Sequence, residues 1–270
     1  MSYKTVLVQA NADKSGSRAL RVAKTVAEMF QASLLGVAAA GFDPTVYGDA
    51  AGELITAERE QIEAAIASAR DSFQAQSKAW PFGAQCVSSG DFPSNVMLRH
   101  ARGADLIVAA RPPAHSTAGF TCNPTDLVMQ SGLPVLLAAD GDAKFSGERV
   151  LVAWRDQREA IRAVSAALPF LIQAHSVHLV SICPPEQADE ARDGLAEVGR
   201  RLTRHGATVE TEILEPKGSA TGDLEAAAEH HGADLIVAGA FSHNRLREWV
   251  LGGVTQDLIA GSAKFVLFSR

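Results

Sequence analysis

The chain has 270 residues, of which 47% are hydrophobic and 21% charged, and its formal net charge is −6. This composition is typical of folded globular proteins and excludes a disordered chain, which has too little apolar surface to form a core. The negative charge argues against nucleic acid as a partner, because phosphate backbones are bound by basic surfaces. The length fits two domains of ordinary size.

The first half of the sequence alternates short apolar runs with amphipathic ones. Uninterrupted Val, Leu and Ile runs predict strands that are buried on both faces, as in a parallel sheet. Between the first two runs, Leu20, Ala23, Ala27 and Phe30 recur at helical spacing, which predicts a helix with one buried face. The predicted strands are 5–9, 33–38, 84–88, 106–110 and 135–139, and a long polar helix is predicted over about 51–77.

The second half follows the same order of strands and helices. Its first helix is predicted from the spacing of five apolar residues, Ile161, Val164, Leu168, Leu171 and Ile172. A helix over about 185–204 occupies the position of the long helix of the first half. The predicted strands are 150–153, 176–182, 209–214, 235–239 and 264–268.

The two halves also share sequence. Gly-Ala-Asp-Leu-Ile-Val stands at 103–108 and again at 232–237. This repeat predicts two tandem domains, 1–142 and 147–270, joined by a linker rich in Gly, Asp, Ser and Lys. We therefore expect an α/β fold of two Rossmann-like domains, each with a five-stranded parallel sheet and helices on both faces.

No apolar stretch of the sequence approaches the ~18–20 residues of a membrane-spanning helix. The first four residues lead directly into the apolar run 5–8, which leaves no room for a secretory leader. We therefore expect a cytoplasmic protein without a membrane partner. Cys86, Cys122 and Cys183 are too widely spaced for a Cys-x2-Cys motif and are expected to be reduced thiols.

The loops after the strands are the places to search for a ligand, because open parallel sheets bind ligands beyond the carboxyl ends of their strands. In the second half, the loop after the fourth predicted strand begins at Gly239 and includes Ser242 and Arg245, and Gly-Gly-Val-Thr follows at 252–255. Glycines let backbone N–H groups approach an anion, and a helix starting near Gly253 would direct its positive end there. This pattern favours phosphate, although turn and cap roles explain the glycines equally well.

The same segment, together with the duplication, resembles the universal stress protein family in its tandem form. The resemblance covers nearly the whole chain and implies the adenine nucleotide alpha hydrolase-like variant of the Rossmann fold. Nucleotide-binding members carry the motif Gly-x2-Gly-x9-Gly-Ser/Thr, which we call the family frame. Here the frame reads Gly239, Ser242, Gly252 and Gly253, so the spacing is kept while the second Gly and the final hydroxyl are replaced.

The resemblance implies that the second domain binds ATP or AMP, with Mg2+ in the case of ATP. Arg155 stands where the family has an acidic residue that contacts the adenosine part, and Ile182 would lie against the adenine ring. The backbone amides of 254–255 would bind the phosphates. The residues implied for the site are Arg155, Ile182, Ala238, Gly239, Ser242, Arg245, Gly252, Gly253, Val254 and Thr255.

The first domain departs further from the family pattern. Its fourth predicted strand leads into Arg111-Pro112-Pro113, and prolines lack the N–H donors that a phosphate needs. Asn11 takes the position of the family's acidic residue. We therefore expect this domain to have lost nucleotide binding and to pair with the second domain, as the single-domain members of the family pair in dimers. Whether two chains pair again stays open.

Other chemistry-bearing residues have simpler interpretations. The pairs His230-His231 and His175/His178 lack converging carboxylates for a metal site. Trp154 is expected in the core rather than stacked on a base. Motifs of serine hydrolases, P-loop proteins and zinc proteases are not found in the sequence, so it specifies no catalysis.

Three hypotheses follow. The first is a stress-response binding or signalling module that holds an adenine nucleotide in its second domain. The alternative is a dimerisation or interaction protein whose two pockets are both degenerate. A slow ATPase would need a metal and a water-activating group that the sequence does not identify.

Overall fold

The computed structural model describes residues 2–11, 13–42, 52–111, 119–240 and 253–270, without the side chains of 14–15 and 52–55. The strands are β1 Thr5–Gln9, β2 Ser33–Ala39, β3 Ala84–Ser89, β4 Leu106–Ala109, β5 Val135–Leu137, β6 Arg149–Ala153, β7 Ser176–Ile182, β8 Val209–Leu214, β9 Leu235–Gly239 and β10 Phe265–Ser269. The helices are α1 Lys14–Phe30, α2 Gly52–Ser77, α3 Pro93–Ala101, α4 Pro124–Gln130, α5 Arg158–Gln173, α6 Ala188–Arg204, α7 Ala220–His230 and α8 Gly253–Ala260. A single 3-10 turn, Pro185–Gln187, precedes α6.

The chain divides into two compact units, Tyr3–Ser131 and Gly132–Arg270. In the first unit the strand order is β3-β2-β1-β4 and the described pairs are parallel. In the second unit the order is β5-β10-β9-β6-β7-β8, and the pairs from β10 to β8 are parallel. The predicted α/β fold with a mostly parallel sheet is therefore confirmed.

The strand β5 departs from the prediction of five parallel strands in each domain. It pairs antiparallel with β10, with Leu136 opposite Leu267, and it lies in the second unit. A three-residue apolar run fits a buried strand in either direction, so its pattern does not define its orientation. The domain limits 1–142 and 147–270, which follow the repeat in the sequence, remain a prediction.

The central strands are buried on both faces, as their unbroken apolar sequences predict. Val6, Leu7 and Val8 of β1 are completely buried, and so are Val150 and Leu151 of β6. The flanking helices cover these strands with their apolar faces, which is the arrangement of an α/β layered domain. Among the described helices, none is long and apolar enough to cross a membrane.

The repeated Gly-Ala-Asp-Leu-Ile-Val segment has the same structural task in both units. The carboxylate of Asp105 accepts hydrogen bonds from the backbone N–H groups of Lys4 at 2.7 Å and Thr5 at 2.9 Å, where β1 begins. In the second unit, the carboxylate of Asp234 accepts from the N–H groups of Ser146 at 2.9 Å and Gly147 at 2.7 Å, just before β6. The strongest sequence repeat therefore positions the first strand of each copy.

Candidate functional site

The candidate site lies beyond the carboxyl ends of β6, β7 and β9 in the second unit. The chain continues from β6 to β7 on one side, whereas β9 pairs with β6 on the other, with Ala153 opposite Ala238. Such a change of direction opens a crevice between the loops that follow the two strands. The loops in which the sequence analysis searched for a ligand therefore follow the strands at the switch point in the described strand order of this unit.

The structure places seven of the ten residues implied for the site. Arg155 is exposed just after β6, Ile182 ends β7, and Ala238 and Gly239 end β9. Residues 253–255 form the first turn of α8. Ser242, Arg245 and Gly252 lie outside the described residues.

Gly239 has a packing role that is visible in the structure. A Cβ at this position would lie 2.6 Å from the carbonyl carbon of Glu159 and 2.7 Å from the backbone nitrogen of Ala160. Both atoms belong to the first turn of α5, which therefore approaches the end of β9 closely. Close packing of a helix on a strand is one of the reasons for glycine in nucleotide-binding motifs.

Arg155 lies in a tight turn between β6 and α5. Its backbone carbonyl accepts a hydrogen bond from the N–H of Gln157 at 2.7 Å, and its side chain is exposed. The preceding residue, Trp154, is buried, and its indole nitrogen would lie 3.3 Å from a Cβ at Gly194 on α6. The core role expected for Trp154 is therefore confirmed, and the side chain of Arg155 is exposed at this turn.

Glu159 is a buried carboxylate beside the site that the sequence analysis did not identify. Its side chain is 7% exposed, and one carboxylate oxygen accepts from Arg158 Nε at 2.7 Å. Burial alone would raise the pKa of Glu159, but the hydrogen bonds from Arg158 and from its own backbone, with the nearby charge of Arg162, hold it below its usual value. Glutamate is common in the first turn of a helix, so the burial of Glu159 could not be predicted from its position in the sequence.

The first turn of α8 begins at Gly253, where the sequence predicted a helix start. Gly253 is exposed, Val254 half-buried and Thr255 buried. The first N–H groups of a helix have no partner within it and can bind an anion. One turn further, the carboxylate of Asp257 accepts from the Thr221 hydroxyl at 3.1 Å and would lie 3.8 Å from a Cβ at position 253. Asp257 is a second acidic residue that the family frame does not include.

The first unit closes the corresponding crevice with its own chain. Gln9, at the end of β1, donates from its amide to the carbonyl of Phe120 at 2.8 Å and accepts from the N–H of Cys122 at 3.0 Å. Asn11 donates to the same carbonyl at 3.0 Å. These bonds hold the loop before α4 over the end of β1, where a ligand would otherwise enter.

The loop before α4 also contacts the segment that follows β2. The N–H of Gly41 donates to the carbonyl of Gly119 at 2.9 Å, and a Cβ at Gly119 would lie 2.2 Å from the Gly41 oxygen. Cys122 is buried in this closed region, and burial raises the pKa of its thiol far above the usual value. A thiol in that state is a poor nucleophile. The loss of nucleotide binding in the first domain remains a prediction.

The histidines do not form a metal site in the described part of the chain, where no suitable group of three or more His, Cys, Asp or Glu side chains occurs. His175 lies at the surface, with its Nδ1 3.8 Å from Glu148. His178 instead meets His231, which comes from the other pair that the sequence singled out. Their contact depends on strand register and on the end of α7, neither of which can be read from sequence spacing.

Comparison with known proteins agrees with this architecture. Residues 147–270 match the model of the universal stress protein family. A universal stress protein from Archaeoglobus fulgidus DSM 4304 has 17% sequence identity and a TM-score of 0.73, over 98% of this chain and 96% of that one. A functionally unknown protein from Pseudomonas aeruginosa PAO1 has 16% identity and a TM-score of 0.62, over 99% of this chain and 92% of that one. A search of curated proteins finds no match.

Proposed function

We propose that residues 147–270, which match the model of the universal stress protein family, bind an adenine nucleotide, ATP or AMP, beyond β6, β7 and β9. The observation that carries the proposal is the helix start at Gly253, which falls where the family frame requires a phosphate-binding turn. The fold supplies the second element, a switch point between β6 and β9.

The adenosine part is proposed to lie against the ends of β7 and β9. Ile182 is half-buried at the end of β7, and Ala238 is buried at the end of β9, with the backbone of Gly239 beside it. Small apolar residues at these positions form a surface that a flat base can contact. Arg155 is exposed beside them and is proposed to contact the ribose or a phosphate.

The phosphates are proposed to bind at the first turn of α8. The N–H groups of Val254 and Thr255 belong to this turn, and the helix dipole adds a positive potential there. Arg245 remains a predicted cation for the same site. With ATP, Asp257 is the carboxylate close to the turn that would help to hold Mg2+, which would offset the phosphate charge.

The second candidate function is an interaction module without nucleotide, and specific observations favour it. The first unit has closed its own crevice through Gln9 and Asn11. In the second unit, Glu159 and Asp257 add negative charge near the proposed phosphate position, and position 253 carries no hydroxyl. Such a protein would pair with a second copy or bind another protein.

The experiment that separates the two functions is equilibrium dialysis of the full chain with ATP and with AMP, using Thr255→Val as the test variant. The Thr255 hydroxyl is proposed to donate to the phosphates beside the N–H groups of the same turn, and the substitution removes this hydroxyl while keeping the side-chain shape. Thr203→Val is the matched control, because the Thr203 hydroxyl donates to the Gly199 carbonyl at 2.9 Å on α6, outside the crevice.

If the nucleotide binds at α8, the affinity of Thr255→Val should be about fivefold to tenfold lower than that of the wild type, the effect of one lost hydrogen bond. The affinity of Thr203→Val should not change. Equal nucleotide affinity in both variants would show that the nucleotide does not bind at the first turn of α8. Failure of all three proteins to bind either nucleotide would favour the interaction module.

A further inference from the structure

A second cluster of polar side chains lies where the strands of the second unit begin, away from the proposed nucleotide site. His178 is the third residue of β7, and His231 directly follows α7. The two rings are stacked, with their centroids 4.1 Å apart and their planes 17° from parallel. We call this contact the histidine pair.

Two carboxylates of β8 flank the histidine pair. His231 Nε2 lies 2.7 Å from a carboxylate oxygen of Glu212, and His178 Nδ1 lies 3.5 Å from a carboxylate oxygen of Glu210. The other ring nitrogen of His178 lies 3.2 Å from the Ser176 hydroxyl. Each imidazole therefore has an acidic neighbour on the same face of the sheet, since residues two apart in a strand share a face.

The remaining elements near the histidine pair contribute a third imidazole and a guanidinium. The His230 ring meets His231 edge-on, at a centroid distance of 5.0 Å. Arg149, at the start of β6, has its Nη1 3.1 Å from the position of a Cβ at Gly232. The helix α6 packs on the opposite face of the sheet, where Gly199 lies against Leu179 and Thr211. The charged groups around the pair are therefore Glu210, Glu212, His230 and Arg149.

The stacked contact of the histidine pair is favourable when the two rings are neutral. It is unfavourable when both rings carry a positive charge. Stacked neutral imidazoles attract, whereas two imidazolium ions 4.1 Å apart repel each other strongly in a partly desolvated site. Burial and the neighbouring His231 hold the pKa of His178 below its usual value, against the attraction of Glu210 and Glu212. A proton therefore favours a state in which His178 is exposed to water.

We propose that the histidine pair is an acid-sensitive latch, which holds the end of α7 against β7 and β8 while His178 is neutral and releases it when His178 is protonated. The pKa of His178 is lower in the latched state than in the released state. The stabilisation is therefore complete above the usual histidine pKa of about 6.5 and is lost as the pH falls below that value. This behaviour requires no nucleotide and is independent of the proposed binding function.

The test is amide hydrogen exchange of the full chain at pH 7.5 and pH 5.0, corrected for the intrinsic exchange rates. The peptide that reports the latch covers the end of α7 and the turn after it, residues 224–232. A peptide from the middle of α5, residues 163–171, reports global stability. His178→Phe keeps an aromatic ring at the contact and removes its proton site. His175→Gln is the matched control, because His175 lies just before β7 with a side chain that is 75% exposed.

The latch predicts that acid lowers the exchange protection of 224–232 more than that of 163–171. The protection factor should fall about tenfold for each pKa unit by which His178 differs between the latched and the released state. His175→Gln should behave as the wild type, and His178→Phe should lose the local acid response. Acid-independent protection in the wild type, or an unchanged acid response in His178→Phe, would overturn the proposal.

A measurement on the wild-type chain covers the case in which His178→Phe does not fold. The ring protons of each histidine can be followed by NMR between pH 4 and pH 8. The latch requires His178 to titrate below the usual histidine pKa of about 6.5, together with a change in the α7 amide signals. Titration of His178 at or above that value would refute it.

Discussion

Gly239 and Glu159 are in such close contact that residue 239 has no space for a side chain. The Cβ of any other residue would lie 2.6 Å from the carbonyl carbon of Glu159. This contact fixes the first turn of α5 on the end of β9, at the edge of the proposed site. The first glycine of the phosphate frame is therefore required by the fold, whether or not a phosphate binds.

Gly239→Ala should destabilise the second unit, because the new methyl group meets backbone atoms that cannot move independently of α5. We expect a loss of about 1–3 kcal/mol in the free energy of unfolding, the range for an overpacked contact. Denaturant unfolding measures it. Gly261→Ala is the control, since a Cβ at Gly261 meets nothing within 4 Å. Equal stability of the two variants would show that α5 can shift away from β9.

Asp234→Asn should destabilise the chain because the carboxylate of Asp234 accepts several backbone hydrogen bonds, including those of Ser146 and Gly147. Charged acceptors bind N–H groups more strongly than neutral ones, so we expect a loss of about 1–3 kcal/mol in unfolding free energy. The exposed Asp193 on α6 gives a control, Asp193→Asn, which should change stability little. If Asp234→Asn is as stable as this control, the repeated motif has another purpose.

Gln9→Leu should open the crevice of the first unit. The substitution removes the bonds to the Phe120 carbonyl and the Cys122 N–H, which are the contacts of Gln9 with the loop before α4. We expect labelling of the Cys122 thiol to accelerate by about tenfold or more, as local opening becomes easier. Cys183, buried in the second unit, is the internal control and should keep its labelling rate. An unchanged rate at Cys122 would mean that other contacts close the loop.

Gly253→Ser should strengthen nucleotide binding by restoring the hydroxyl of the family frame. Among the residues that the structure describes, the nearest atom to a Cβ at this position is Asp257 Oδ2 at 3.8 Å. One additional hydrogen bond predicts a gain of about threefold to tenfold in affinity, measured by calorimetric titration. Gly253→Ala separates this gain from the loss of backbone freedom. If the serine variant binds no better than the alanine variant, the hydroxyl bonds to Asp257 instead of a phosphate.

The sequence predicted the features that depend on local pattern. Unbroken apolar runs located the strands, and Gly253 marked the start of α8. Features that depend on contacts between distant residues could not be predicted in this way. The direction of β5, the burial of Glu159 and the stacking of His178 on His231 are set by register and packing, which a single sequence does not display.

The family frame indicated where the candidate site lies, but it did not indicate all of the charged side chains around that site. It assigned the candidate site to loops that follow β6, β7 and β9, and β6 and β9 are neighbours at the switch point of the second unit. It did not indicate Asp257, which brings a carboxylate close to the first turn of α8. Whether that carboxylate opposes a phosphate or holds a metal beside it decides how strongly ATP and AMP differ as ligands.

The most direct test of nucleotide binding is to denature the freshly purified full chain and identify the small molecules that it releases by anion-exchange chromatography and mass spectrometry. The proposed function predicts adenine nucleotide at close to one molecule per chain, or its uptake to that level after incubation with ATP or AMP. No adenine nucleotide before or after incubation with either compound at millimolar concentration would contradict the proposed function.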